Sequence, residues 1–315
     1  MCAEKIVIAL GGNALQSGKG EATSDAQLKV VKKTCEHIAE ISGRGYEIAV
    51  VHGNGPQVGR IVMASEAAKD VTPPMPFDVC GAMSQGYIGY HIQQCLKYAL
   101  NKSNRNIPVV TVATQVIVDK RDPAFKNPTK PIGSFYTEEE AKALEEEKHY
   151  IMKEDAGRGW RRVVASPLPK RIVEIEAVKQ LWDHSIVITC GGGGIPVIEK
   201  PDGHLEGVAA VIDKDYAAEL LAEDMDADVL MILTEVEKVA INFNKPNQEA
   251  LNNLSLADAA KYVEEGHFPP GSMLPKVAAA MKFVRRYPDK KAIITSLDKA
   301  VEALEGKTGT VITFN

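Results

Sequence analysis

Two hydrophobic periods alternate along this chain. Short runs apolar on both parities are followed by glycine, and between them apolar residues recur every three or four positions. The first run, Lys5–Leu10, is β-branched and predicts a strand buried on both faces, ending in Gly11-Gly12-Asn13. With Thr23 or Ser24 as N-cap, Leu28, Val31, Cys35 and Ile38 keep helical spacing until Gly43 and Gly45 stop it. Residues 46–51 predict a second buried strand, closed by a glycine turn over 53–59. A helix is expected over 82–100, with Ile88, Ile92, Cys95 and Leu96 on one face, and 107–118 resumes the sheet.

Between 119 and 166 this rhythm breaks. Pro123, Pro128 and Pro131, an exposed charged helix over 138–148 and an arginine-rich segment occupy the stretch. A structureless loop of that length is implausible inside a compact domain, so it predicts an inserted sub-lobe covering the site. The βα alternation then returns. Helices are expected over 171–184, 215–225, 256–265, 276–287 and 298–304, with strands over 186–189, 227–236, 291–296 and 310–314 and a hairpin across Pro201-Asp202-Gly203. Repeated βα units imply an α/β fold: one domain over 1–315, a three-layer αβα sandwich with a mostly parallel central sheet, plus the small protruding sub-lobe. Ligands in such folds sit at the carboxyl ends of strands, where the glycine turns fall.

Composition narrows the function. A chain of 315 residues, 45% hydrophobic and 25% charged, can bury a substantial core, as a soluble globular protein does. The formal net charge is −5 and no run of like charge is long enough to form an arm, which argues against nucleic acid or membrane partners. Cys2, Cys35, Cys80, Cys95 and Cys190 are odd in number and contain no CxxC pair, so neither a disulfide framework nor a zinc site is expected. No stretch reaches the roughly 18 apolar residues of a membrane span, and a reducing, cytoplasmic location follows as the expectation.

The candidate chemistry is cationic. Lys130 sits in Pro128-Thr129-Lys130-Pro131-Ile132-Gly133, a loop whose prolines restrict φ and pre-order the lysine for an oxyanion. Gly11-Gly12, the 53–59 turn and the 191–194 run beginning Gly191-Gly192 offer backbone N–H groups unobstructed by a Cβ, and phosphate is their natural guest. Neither a P-loop nor GxGxxG is complete, so bound phosphates would need other cations. Lys214 and Lys276 each open a predicted helix, where a cation is unfavourable unless an anion is near. Each feature alone also has a structural explanation: a solvated lysine for Lys130 and Lys276, an ion pair with flanking aspartates for Lys214, tight turns for the glycines. Phosphoryl transfer asks mainly for alignment and charge neutralisation, with Asp215 as organiser of the lysines. His37, His91, His149 and His184 show no metal or base spacing, His52 fits a supporting role, and Ser84 and Ser272 show no sign of a triad.

Together these segments resemble the carbamate kinases of the amino acid kinase superfamily over nearly the whole chain. The resemblance rests on ALGGNAL at 9–15, HGNGPQVG at 52–59, CGAMSQGYIG at 80–89, DPAF at 122–125, PTKPIGSF at 128–135, GRGWRRVV at 157–164, GGGGIP at 191–196, VIDKD at 211–215 and GSM at 271–273 followed by Pro275-Lys276. It implies reversible, Mg2+-dependent phosphoryl transfer between ATP and carbamate in a homodimer, forming ATP from ADP and carbamoyl phosphate in arginine, agmatine or ureide catabolism. Lys130, Lys214, Asp215 and Lys276 would be catalytic; Gly11, Gly12 and Asn13 would cradle phosphates; Gly53, Asn54 and Gly55 would hold the carbamate side. Met273 and residues 234–246 would shape the adenine pocket, with magnesium carried by the phosphates rather than by a protein metal site. The chain departs from the family pattern at Ala165, Glu235, Ala240 and Leu274, none a proposed charged group, and Ala240 and Leu274 are expected near the nucleotide. Two alternatives remain open: a kinase of a larger acid such as N-acetylglutamate, and a nucleotide sensor without turnover.

Overall fold

A computed structural model of the protein describes residues 3–16, 23–155 and 157–315; Cys2 and Ala156 lie outside the described residues. The elements in order are β1 (Lys5–Leu10), α1 (Ser24–Ser42), β2 (Glu47–His52), α2 (Gly55–Ala67), α3 (Phe77–Lys102), β3 (Val109–Thr111), β4 (Gln115–Val118), β5 (Lys130–Tyr136), α4 (Glu138–Lys148), β6 (Ile151–Glu154), β7 (Trp160–Val164) and β8 (Pro169–Ile172). There follow α5 (Ile175–Trp182), β9 (Ile186–Ile188), β10 (Ile195–Glu199), β11 (Leu205–Gly207), α6 (Lys214–Asp224), β12 (Val229–Thr234), β13 (Ala240–Ile241), β14 (Glu249–Ala250), β15 (Asn253–Ser255), α7 (Leu256–Glu264), α8 (Met273–Arg286), β16 (Lys291–Ser296), α9 (Ala300–Leu304) and β17 (Thr310–Thr313).

The main sheet runs β15-β17-β16-β12-β1-β2-β9-β3, and each of its pairings except β16 with β17 is parallel. The two-residue period of β1 divides the core. Val7 and Ala9 point into a cluster with α5, α6, α7 and α8, whereas Ile6, Ile8 and Leu10 point into one with α1, α3 and α9. Helices therefore cover both faces, giving the expected αβα sandwich. Its two-sided burial explains why the strands read as continuous apolar runs.

Four sequence expectations need correction. The 107–118 segment is two strands in two sheets. At Thr114 the chain leaves β9 and joins a four-stranded sheet ordered β11-β10-β4-β8, and the buried Gln85 side chain accepts from the Thr114 N–H and donates to its carbonyl. The expected 171–184 helix begins only at Ile175, because Arg171 and Ile172 pair with β4 as part of β8. The 53–59 glycine turn is mostly helix: α2 begins at Gly55 with Pro56 in its first turn, where a missing N–H costs nothing. Lys130 lies at the start of strand β5, not in a loop, in a small sheet ordered β5-β7-β6. Beside that sheet α4 is solvated as expected, with Ala141 its buried residue and a Thr137–Glu140 capping box at its start.

One buried group between α6 and α8 sets a pH dependence. The Glu219 side chain is fully buried; one oxygen accepts from Lys282 Nζ at 2.6 Å and Oε1 has no hydrogen-bond partner among the described residues. Burial raises its carboxyl to about 8, with Glu223 adding to the effect and Lys282 opposing it. The folded pKa lies above the unfolded one, so Glu219 costs nothing in acid and destabilises progressively as pH rises from the ordinary glutamate range through about 8. Glu219→Gln should raise the melting temperature at pH 9 and leave it nearly unchanged at pH 5. Equal shifts at both pH values would dissociate the effect from titration.

Candidate functional site

The carboxyl ends of four neighbouring strands build the site. After β1, Gly11 passes under β12 so closely that a Cβ would lie 2.9 Å from the Leu233 carbonyl oxygen, and one 3-10 turn over Gly12–Ala14 follows. After β2 come Gly53 and Asn54 and the N-terminus of α2, whose dipole favours an anion. After β9 the chain turns through Gly191–Gly193, and after β12 through Thr234 and Glu235. Asn13 Nδ2 donates to Glu235 Oε1, tying the β1 and β12 turns together.

Two cavities open here. The larger, 460 Å³, is lined by Gly11, Gly12 and Asn13 at one end and by Ala240, Phe243 and Met273 at the other. The smaller, 160 Å³, lies between Gly53-Asn54-Gly55, Lys130, Gly192 and Asp213. Gly12, Lys214, Gly271, Ser272 and Lys276 line both.

Charge at the junction is organised by two aspartates at the start of α6. Asp213 is the N-cap: its Oδ1 accepts from the Asp215 N–H at 2.9 Å, and its Oδ2 accepts from Lys130 Nζ at 2.6 Å. Asp215, with 2% of its side chain exposed, accepts from Lys214 Nζ at 2.6 Å on one oxygen and from Lys276 Nζ at 3.1 Å on the other. Burial alone would raise the Asp213 carboxyl, but Lys130 and Lys214 outweigh it and hold the group well below the usual carboxylate range. Lys214 is buried, which opposes its charge, yet Asp215 and Asp213 raise its pKa above the ordinary value. Lys276 goes the other way, lowered by burial and by the Lys214 charge against the pull of Asp215. Three ammonium groups face two carboxylates, so the junction carries a net positive charge ready for an anion.

The floor of the smaller cavity is set from behind. Asn54 Nδ2 donates to Ser84 Oγ at 2.9 Å, and Ser84 in turn donates to the Gly81 carbonyl. Gln85 Nε2 donates to the Gly191 carbonyl at 2.9 Å. His52 Nδ1 donates to the Gly53 carbonyl at 2.8 Å; burial lowers its pKa to about 4, against that hydrogen bond, so the ring is neutral at pH 7. Gly192, at φ +68°, lies so close to Asn54 that a Cβ would fall 2.2 Å from Nδ2.

Lys130, Lys214, Asp215, Lys276, Gly11, Gly12, Asn13, Gly53, Asn54, Gly55, Gly192 and Met273 thus meet around one pair of cavities. Gly191 does not reach them: it packs against His52 and Gln85. Gly192 faces the smaller cavity and not the larger. Ala240 lines the larger cavity as expected, whereas Leu274 turns into the core. Local ion pairing, the structural alternative for Lys214, is present in the structure, alongside its position at the junction. Sequence reading missed Asp213 as the partner of Lys130, and missed Gln85. Asp213 carried a usable signal, as an N-cap aspartate ahead of a helix; Gln85 carried none.

The chain belongs to the amino acid kinase family, whose family profile matches residues 4–296. Within that family it belongs with the carbamate kinases. It is 57% identical to the carbamate kinase of Clostridium perfringens over 98% of this chain and 99% of that one, and 54% identical to the carbamate kinase of Pyrococcus horikoshii with the same coverage. The solved structure of carbamate kinase from Giardia lamblia bound to AMP-PNP superposes with a TM-score of 0.92 at 46% identity, covering 99% of this chain and 98% of that one.

Proposed function

We propose that this chain transfers a phosphoryl group between carbamoyl phosphate and ADP, giving ATP and carbamate, and runs reversibly. The observation that carries the reading is that the larger and smaller cavities share Gly12, Lys214 and Lys276. A nucleotide in the larger cavity directs its terminal phosphate to that junction, and a small acid in the smaller cavity meets it there. The likeness to carbamate kinases over nearly the whole chain favours carbamate over an acid as large as N-acetylglutamate.

Lys214 and Lys276 then neutralise charge on the transferring group, and Asp215 keeps both ammonium groups on the axis of transfer. Gly11, Gly12 and Asn13 present backbone N–H groups to the nucleotide phosphates. Gly53, Asn54 and Gly55 hold the carbamate side, with Gly192 closing its floor. Lys130 leaves Asp213 when an anionic substrate arrives and contributes its charge to the carbamoyl phosphate. We place Lys130 in a sub-lobe spanning about 119–166 of a single domain.

Magnesium supplies further charge neutralisation when bound with the nucleotide. Asp215 keeps both oxygens on lysines and Asp213 keeps Oδ1 on the α6 cap, so even after Lys130 departs a single carboxylate oxygen is freed, and the fit is for an ion carried on the phosphates. The reading extends to a homodimer in a reducing, cytoplasmic setting, which the buried free thiols of Cys35, Cys80, Cys95 and Cys190 suit.

The test is ATP formation from ADP and carbamoyl phosphate with magnesium, followed by a coupled assay, with N-acetylglutamyl phosphate as comparison. Magnesium-dependent turnover with carbamoyl phosphate alone is expected. Nucleotide binding without turnover on either substrate would make the chain a sensor.

A further inference from the structure

Helix α2 touches the site at its start and the Lys130 sheet further along. One turn in, Gly59 packs against Gly133 of β5 so tightly that a Cβ would lie 2.4 Å from the Gly133 Cα. Arg161 Nη2 holds the same Gly133 by donating to its carbonyl at 3.0 Å. In the last turn of α2, Glu66 collects three groups, from the end of α4, from Tyr150 just before β6 and from β7. Its Oε2 accepts from Lys148 Nζ at 2.5 Å, its Oε1 accepts from the Tyr150 hydroxyl, and Arg162 Nη1 stands 3.8 Å away. The Arg162 guanidinium stacks on the Tyr150 ring at 3.7 Å, so these groups form one cluster. Arg162 pairs in register with Ile132, two residues from Lys130.

We propose that Glu66 is a positioning residue for phosphoryl transfer, anchoring the β5-β7-β6 sheet to α2 so that Lys130 stays over the Gly53-Asn54-Gly55 segment that opens the same helix. The inference rests on the carbamoyl phosphate reading above. The glycine contact fixes how closely the sheet approaches α2. Helix α2 packs along β5, and at the far end of the helix the Glu66 cluster extends that anchor to the end of α4, to Tyr150 and to β7. Half-buried and with several partners, this carboxylate is held far more firmly than an exposed ion pair. A small displacement of a group that orients substrate lowers turnover without removing any group that touches it.

The experiment is a double-mutant cycle on ATP formation. Glu66→Gln should lower kcat roughly tenfold with KM for ADP unchanged, and Glu66→Asp should recover part of the loss. In a Lys130→Ala background, Glu66→Gln should change the residual turnover less than twofold, since the group it positions is gone. Tyr150→Phe, which deletes a single bond of the cluster, gives a milder fall and guards against a folding defect in the first variant. A Glu66→Gln enzyme within twofold of wild type, or one that loses the same factor with and without Lys130, overturns the positioning role. If wild type turns over carbamoyl phosphate and Lys130→Ala does so equally well, the role of Lys130 fails and the proposal with it; if wild type has no such activity, it is the functional reading that fails.

Discussion

Replacing Lys214 with alanine lowers kcat for ATP formation by about 10²–10³, the usual loss when one preorganised charge is removed from a transition state. Among the site's cations it is the one best placed to act. It lines both cavities, its stem runs beside Gly53 so that a Cβ there would lie 3.4 Å from its Cδ, and Asp215 fixes its ammonium group at 2.6 Å. The same geometry predicts that the fold barely notices. Asp215 keeps Lys276 at 3.1 Å after the substitution, and two carboxylates then face two ammonium groups, Lys130 and Lys276. The melting temperature should therefore stay within a few degrees of wild type while turnover collapses, a split that a coupled assay and a thermal scan read on one sample. Activity within a few-fold of wild type would show that Lys214 only balances the aspartates.

Much of this site was legible from the chain because its parts are local. The glycines at 11–12 and 53–55 follow apolar runs directly, and a cation in the first turn of α6 or α8 conflicts with the helix dipole within the same few residues. The αβα layering was legible for a related reason: strands buried on both faces leave continuous apolar runs such as Lys5–Leu10.

What escaped is what depends on distant partners. The Lys130–Asp213 pair spans 83 positions, and Gln85 serves Thr114 and Gly191, 29 and 106 positions away. The break between β3 and β4 was invisible because residues 107–118 keep strand-like composition while the chain changes sheets, and the switch at Thr114 is satisfied by a side chain from α3. Lys130 looked like a loop residue because prolines flank it. In β5 its neighbour Pro131 lies at the start of the strand, where proline is tolerated.

Asp215→Ala has the opposite signature to Lys214→Ala and should cost the fold about 3–5 kcal/mol, the range for removing one partner from a buried ion cluster. Its side chain is almost wholly buried and serves two ammonium groups that are themselves only 12% and 14% exposed. With Asp215 gone, Lys214 keeps Asp213 as its nearby counter-charge among the described residues, and Lys276, already lowered by burial and by Lys214, loses its hydrogen-bonded carboxylate. The sign of the pH effect follows. The Lys276 pKa falls further, its proton is lost at lower pH, and whatever activity survives in the milder Asp215→Asn variant should show an alkaline limb moved down relative to wild type. Urea unfolding at pH 7 measures the stability change, and a loss below about 1 kcal/mol would mean that solvent relaxes around the lysines instead. Charge is separated from simple packing by adding Lys276→Met to Asp215→Ala. If uncompensated cations cause the loss, the double variant is more stable than the single one, because deleting the second lysine removes the repulsion. If the loss comes from the cavity left by the carboxylate, the second substitution adds its own cost and the two sum.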